Sequence, residues 1–127
     1  MAVELNHTIV ASVDKVAGAR FLADLLGLAE PKAFGPFEVV ELANSMSLDF
    51  ATTDGEVHPQ HYAFLLSEAE FDRVFGRIQQ RDIDYWADPH AERPGEINTR
   101  DGGRGVYFRS PDGHHLEILT QPYGSGG

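Results

Sequence analysis

The apolar and polar positions of this chain form one pattern written twice. Residues 3–12 alternate in the manner of a strand, and Asp14 stands where it can cap a helix. Val16, Ala19, Phe21, Leu22, Leu25 and Leu26 recur mostly at helical spacing until Gly27 ends the run. Pro31, Gly35 and Pro36 make a loop, Phe37–Leu42 a second strand, and Asn44-Ser45 a turn into a third, Met46–Thr52. After a connector over 53–60 the order restarts. His61–Leu66 reads as a strand, Ser67 with Glu70 as a capping box, and Phe71, Val74, Phe75 and Ile78 as one face of a helix ending near Arg81. Ile83–Trp86 reads as a short strand. A long polar loop over 88–103 comes next, then a hairpin over 105–119 turned by Pro111-Asp112-Gly113. Residues 122–127 form a small, Gly-rich tail, expected to be flexible.

The repeat predicts an α+β fold, a curved sheet with helices on one face only. Residues 1–56 form the first module and 57–121 the second. Asn6-His7 opens the first copy and Gln60-His61 the second, 54 positions later; Asp49 near the end of the first matches Glu117, 68 positions later. The 88–103 loop has no counterpart in the first half and can absorb the 14-residue difference.

Glu117 is the anomaly of the pattern, an acid between Leu116 and Ile118 in a run fit for a buried strand. Burying an ionised carboxylate without a partner is costly. Strand alternation sends Leu48, Phe50, Leu116 and Ile118, with Tyr62, Phe64 and Leu66, toward the helices. It sends Asp49, Glu117, His61 and Tyr107 to the opposite face, where His7 sits beside Leu5 and Ile9. A strand histidine ordinarily just finds a hydrogen bond, and a strand acid ordinarily pairs with Arg or faces water. These differ in recurring at matched positions of both copies. Two histidines and one or two carboxylates on one face make the donor set of a divalent cation such as iron, nickel, manganese, cobalt or zinc. Such an ion would make the burial of Glu117 tolerable.

Composition narrows the partners. The net charge of −10 argues against nucleic acid and against an anionic membrane surface. The absence of cysteine excludes disulfides and thiolate chemistry. No apolar run approaches a membrane span and no export signal is visible, so the expected setting is cytoplasmic.

Asn-His-Thr-Ile-Val at 6–10, Gln-His-Tyr-Ala-Phe at 60–64 and Ser-Pro-Asp-Gly-His-His-Leu-Glu-Ile at 110–118 resemble the vicinal oxygen chelate superfamily. This is the group of glyoxalase I, bleomycin- and fosfomycin-resistance proteins and extradiol dioxygenases, and the likeness covers about residues 3–121. It implies paired βαβββ modules forming a cup around one divalent metal, with helices on the outer face. His7, His61 and Glu117 match its ligand positions, and Asp49 the position of a fourth carboxylate. It also implies a homodimer, with His7 and Asp49 from one subunit and His61 and Glu117 from the other. The expected function is a metal-dependent lyase, isomerase or dioxygenase acting on a small molecule with vicinal oxygens. Glu117 or Asp49 would be general base and Tyr107 a hydrogen-bond donor; Arg100, Arg104, Trp86, Tyr62 and His115 would contact substrate. The alternative is a bleomycin-type protein that sequesters a drug in the dimer cup. The 98–104 loop carries two Arg but lacks the serine-rich pattern of fosfomycin-modifying members. His58 and His114 are left as surface residues.

Overall fold

Asp14 opens helix α1, Lys15–Leu26, by accepting hydrogen bonds from the Val16 and Ala17 amides. Gly27 closes it in the left-handed conformation at φ 71°, as a C-terminal glycine permits. The computed structural model describes residues 2–124 and divides the chain between His58 and Pro59. The architecture is α+β, with one helix and one four-stranded mixed sheet in each unit.

In the first unit the strands are β1 (His7–Ser12), β2 (Lys32–Phe34), β3 (Phe37–Glu41) and β4 (Ser47–Thr52), in the order β1-β4-β3-β2. β1 runs parallel to β4, and the other pairs are antiparallel. α1 lies against β1, β3 and β4, burying Ala19, Leu22 and Leu25. β1 starts later than the alternation suggests because β4 starts at Ser47 and gives residues 3–5 no ladder to join. β2, unforeseen, is three exposed residues hung on β3 by the Gly35-Pro36 turn.

The second unit repeats this plan with β5 (His61–Leu65), α2 (Glu68–Gln80), β6 (Tyr85–Trp86), β7 (Gly105–Arg109) and β8 (His115–Leu119), in the order β5-β8-β7-β6. Both halves of the capping box form: Glu70 N–H donates to the Ser67 hydroxyl, and the Glu70 carboxylate accepts from Ser67 N–H. α2 buries Phe71, Val74 and Ile78. Even-numbered residues of β7 and β8 complete the core, with Val106, Phe108, Leu116 and Ile118 all buried.

The repeat holds to the residue. His7 pairs with Ser47 and Ile9 with Asp49, just as His61 pairs with His115 and Ala63 with Glu117. The hairpins correspond as well: Val39 opposes Asp49 and Tyr107 opposes Glu117. Each is closed by the same bond, Leu42 N–H to Met46 O at 2.8 Å and Ser110 N–H to His114 O at 3.0 Å. The extra length of the second unit lies between β6 and β7, where residues 87–104 replace the two-residue turn of the first.

Candidate metal centre

Glu117 is 0% exposed, set on β8 between Leu116 and Ile118, which point into the core. Its Oε1 lies 3.2 Å from His61 Nε2, and its Oε2 has no hydrogen-bond partner. Burial pushes its pKa up; the neighbouring Tyr107, His61 and Arg100 pull it back in part. Tyr107, directly across the ladder, is itself raised by burial and by the Glu117 charge. Its ring stacks on that of His61, with centroids 6.2 Å apart. The Tyr107 hydroxyl is near enough to favour the ionised carboxylate, yet its close bonds run elsewhere, to Tyr123 at 2.6 Å and from Arg100 Nη1 at 3.4 Å.

His61 Nδ1 lies 3.1 Å from the His115 carbonyl oxygen, which can only accept, so Nδ1 carries the proton. In the neutral ring Nε2 is then a lone pair facing a carboxylate oxygen. Two acceptors at that distance require a proton or a cation between them. The 3.2 Å separation is also the edge spanned by two neighbouring ligands each ~2.1 Å from one ion. A buried carboxylate oxygen without a partner, beside an imidazole fixed in the ligating tautomer, fits a divalent metal.

The first unit carries the matching pair. Asp49 is 9% exposed and its Oδ1 accepts from the Ser47 hydroxyl at 2.9 Å. His7 shares its face on the adjacent strand, is exposed, and has Nδ1 2.7 Å from Asn6 Oδ1. Among the described residues no three His, Cys, Asp or Glu side chains gather as a metal-binding group. The donors stand as two pairs, one in each unit.

A cleft of about 240 Å³ opens over His61 and Tyr107. Trp86 and His115, expected at the substrate site, both line it. So does Arg109, which the sequence reading missed although it alternates with Tyr107 on β7; its guanidinium lies 5.4 Å over the Trp86 ring. Burial and the Arg109 charge lower the pKa of His115. Arg100, also expected at the substrate site, reaches the Tyr107 hydroxyl.

Two expected contact residues sit elsewhere. Arg104 is committed to α2: it donates to Glu68 and Asp72, each at 2.8 Å, and lies 4.5 Å over the Phe71 ring. Tyr62 pairs with Leu116, so alternation turns it to the core side, where its ring meets His114 edge-on at 5.5 Å. His114 is no surface residue; it is 2% exposed, and its Nδ1 accepts from Gln60 N–H at 3.0 Å. Tyr123, in a segment read as a loose tail, is bonded to Tyr107; residues 125–127 of that tail lie outside the described residues.

No family model matches the chain. It is 27% identical over 124 residues to "Glutathione transferase FosA" of Serratia marcescens, covering 93% of this chain and 81% of that protein. The solved structure of "Oxidase ChaP-H1" is 67% identical, with a TM-score of 0.95 over 97% of this chain and 99% of the other. A glyoxalase/dioxygenase structure from Nostoc punctiforme shares the fold, at 24% identity and a TM-score of 0.69 over 94% of this chain and 91% of the other. The chain belongs to the vicinal oxygen chelate superfamily. Its relatives are named as transferases and oxidases. His61 and Glu117 lie on β5 and β8, the paired strands on which the repeat predicts them. Among the described residues no helix is long and apolar enough to cross a membrane.

Proposed function

We propose that the chain is a divalent-metal-dependent enzyme of oxidase or dioxygenase type, acting on a small molecule that offers vicinal oxygens. It works as a homodimer in which His7 and Asp49 of one subunit and His61 and Glu117 of the other hold one ion. The observation that carries this reading is the buried Glu117 carboxylate, with Oε2 unpartnered and Oε1 facing the lone pair of His61. The apolar residues flanking His7, Leu5 and Ile9, are 66% and 57% exposed and supply a surface for the second subunit to cover. The identity to a named oxidase favours oxygen chemistry over the lyase and isomerase readings, and an enzyme over a drug-sequestering protein.

When bound, a divalent ion supplies Lewis-acid stabilisation of charge developing on a substrate oxygen. The chain's own residues do the rest. The His115 carbonyl holds His61 in the tautomer that presents Nε2. Glu117, made more basic by burial, is fitted to take a proton from substrate. Arg100, bonded to the Tyr107 hydroxyl, and Arg109, in the cleft lining, bring positive charge to the substrate side of the site.

The test is metal analysis of protein purified without chelator and reconstituted in turn with iron(II), nickel, manganese, cobalt and zinc. About one ion per chain is expected, lost in His61→Ala with the circular dichroism unchanged. Less than about 0.1 ion per chain under every condition overturns the reading.

A further inference from the structure

The end of the described chain is tied to Tyr107. Tyr123 and Tyr107 share a 2.6 Å hydroxyl–hydroxyl bond, and the Arg100 guanidinium lies 5.9 Å over the Tyr123 ring. Gly124 N–H donates to Asp101 Oδ2 at 3.0 Å. Asp101 holds φ 55°, in the left-handed region that aspartate enters more readily than most side chains. Residues 123–124 are therefore fastened at three points to the 100–102 turn and to the tyrosine opposite Glu117.

A phenol has one proton to give. The Tyr107 oxygen accepts from Arg100 Nη1, and either phenol can donate in its 2.6 Å bond to Tyr123; where Tyr107 is the donor, that bond takes the proton that the Glu117 carboxylate across the ladder would otherwise claim. A hydrogen bond to a carboxylate is the stronger of the two in kind. Glu117 Oε2 is nevertheless bare and buried, while Tyr107 and Tyr123 lie at 2.6 Å. The first unit shows the arrangement without this competition: Val39 opposes Asp49, and no phenol is present to cap the carboxylate.

The geometry points to Tyr123 as a positioning residue: by engaging the Tyr107 hydroxyl, with Arg100 behind it, it keeps Glu117 Oε2 open to a divalent ion. This rests on the metal reading above. Tyr123 is not itself a cleft-lining residue and has no bond to His61 or Glu117; it acts through Tyr107. Without it, the Tyr107 proton turns to Oε2, and an incoming cation has to displace that bond.

Calorimetric titration of the full chain with manganese(II) tests the inference. Tyr123→Phe keeps the ring over Arg100 and removes only the hydroxyl, so metal-free melting temperature is expected to hold. Manganese affinity is expected to fall about 10- to 100-fold, the scale typical of a lost outer-shell partner. In a Tyr107→Phe background, adding Tyr123→Phe is expected to change nothing further, because the proton it restrains is gone. Manganese binding by the wild type with equal binding by Tyr123→Phe overturns the role of Tyr123 and leaves the metal reading intact. Losses that add independently in the double variant also overturn it, since Tyr123 then acts by another route. Where the wild type takes up no manganese, the same titrations use whichever of iron(II), nickel, cobalt and zinc it does take up; a wild type that takes up none of the five overturns the metal reading, and the role of Tyr123 with it.

Discussion

At the residue scale the molecule turns on Glu117. Its burial is offset only in part: Oε1 lies 3.2 Å from His61 Nε2, and Oε2 has no hydrogen-bond partner. Such an arrangement costs stability in the metal-free protein and recovers it on binding. Glu117→Gln is therefore expected to stabilise the metal-free chain by on the order of 1 kcal/mol, because the amide can donate to His61 Nε2 where the carboxylate cannot. The same change is expected to abolish the rise in melting temperature that added metal gives the wild type. Denaturant melts with and without metal check both. Glu117 was legible in the sequence as an acid out of place, and alternation gave its face. Arg109 was legible by the same alternation and was passed over. Tyr123 was not legible, because nothing local marks a tyrosine among glycines as fastened to a strand 16 residues earlier. The commitment of Arg104 to α2 was hidden likewise, since Glu68 and Asp72 lie more than thirty positions away in the chain.

At the scale of elements, local chemistry was the readable part. Asp14, Gly27, Ser67 with Glu70, and the Pro111–Gly113 turn all act as their residue types dictate. Strand ends were less readable because they depend on where a distant partner begins, as β1 and β4 illustrate. Ser67→Ala is expected to cost ~1 kcal/mol in equilibrium unfolding by loss of the α2 cap. The cap also carries a pH dependence. Hydrogen bonds from the Ser67 hydroxyl and amide hold the Glu70 pKa below its ordinary 4.5; those from Thr120 and then Arg104 do the same for Glu68. Depressed carboxylate pKa values contribute stability that is fully present above about pH 4.5 and is lost as pH falls through the lower folded values. Unfolding curves between pH 5 and 3 are expected to show that loss, diminished in Ser67→Ala.

At the scale of the whole molecule, the proposed donor set has one pair in each unit, and the proposed dimer would bring two such sets together. If one site draws on both subunits, mixing His7→Ala with His61→Ala creates heterodimers that have one intact site and one doubly damaged site. Random exchange is then expected to restore metal to about one site in four, although neither variant binds alone. Metal analysis after co-refolding checks this, and no recovery would mean that each chain completes its own site. The fold at this scale was readable because the repeat supplies its own comparison. The 87–104 segment was readable as a length difference and as the source of the candidates Arg100 and Arg104, but no second copy shows what its residues should do.

The correspondence of the β3–β4 and β7–β8 hairpins, bond for bond, has a use beyond architecture. Along the face that carries Asp49 and Glu117, positions 39, 41 and 47 hold Val, Glu and Ser, while 107, 109 and 115 hold Tyr, Arg and His. The first hairpin is thus a natural blank for the second, the same backbone with the reactive lettering removed. Moving those three side chains from one hairpin to the other, in either direction, would separate what the scaffold contributes from what its inscription does. The duplication has left that control experiment inside a single chain.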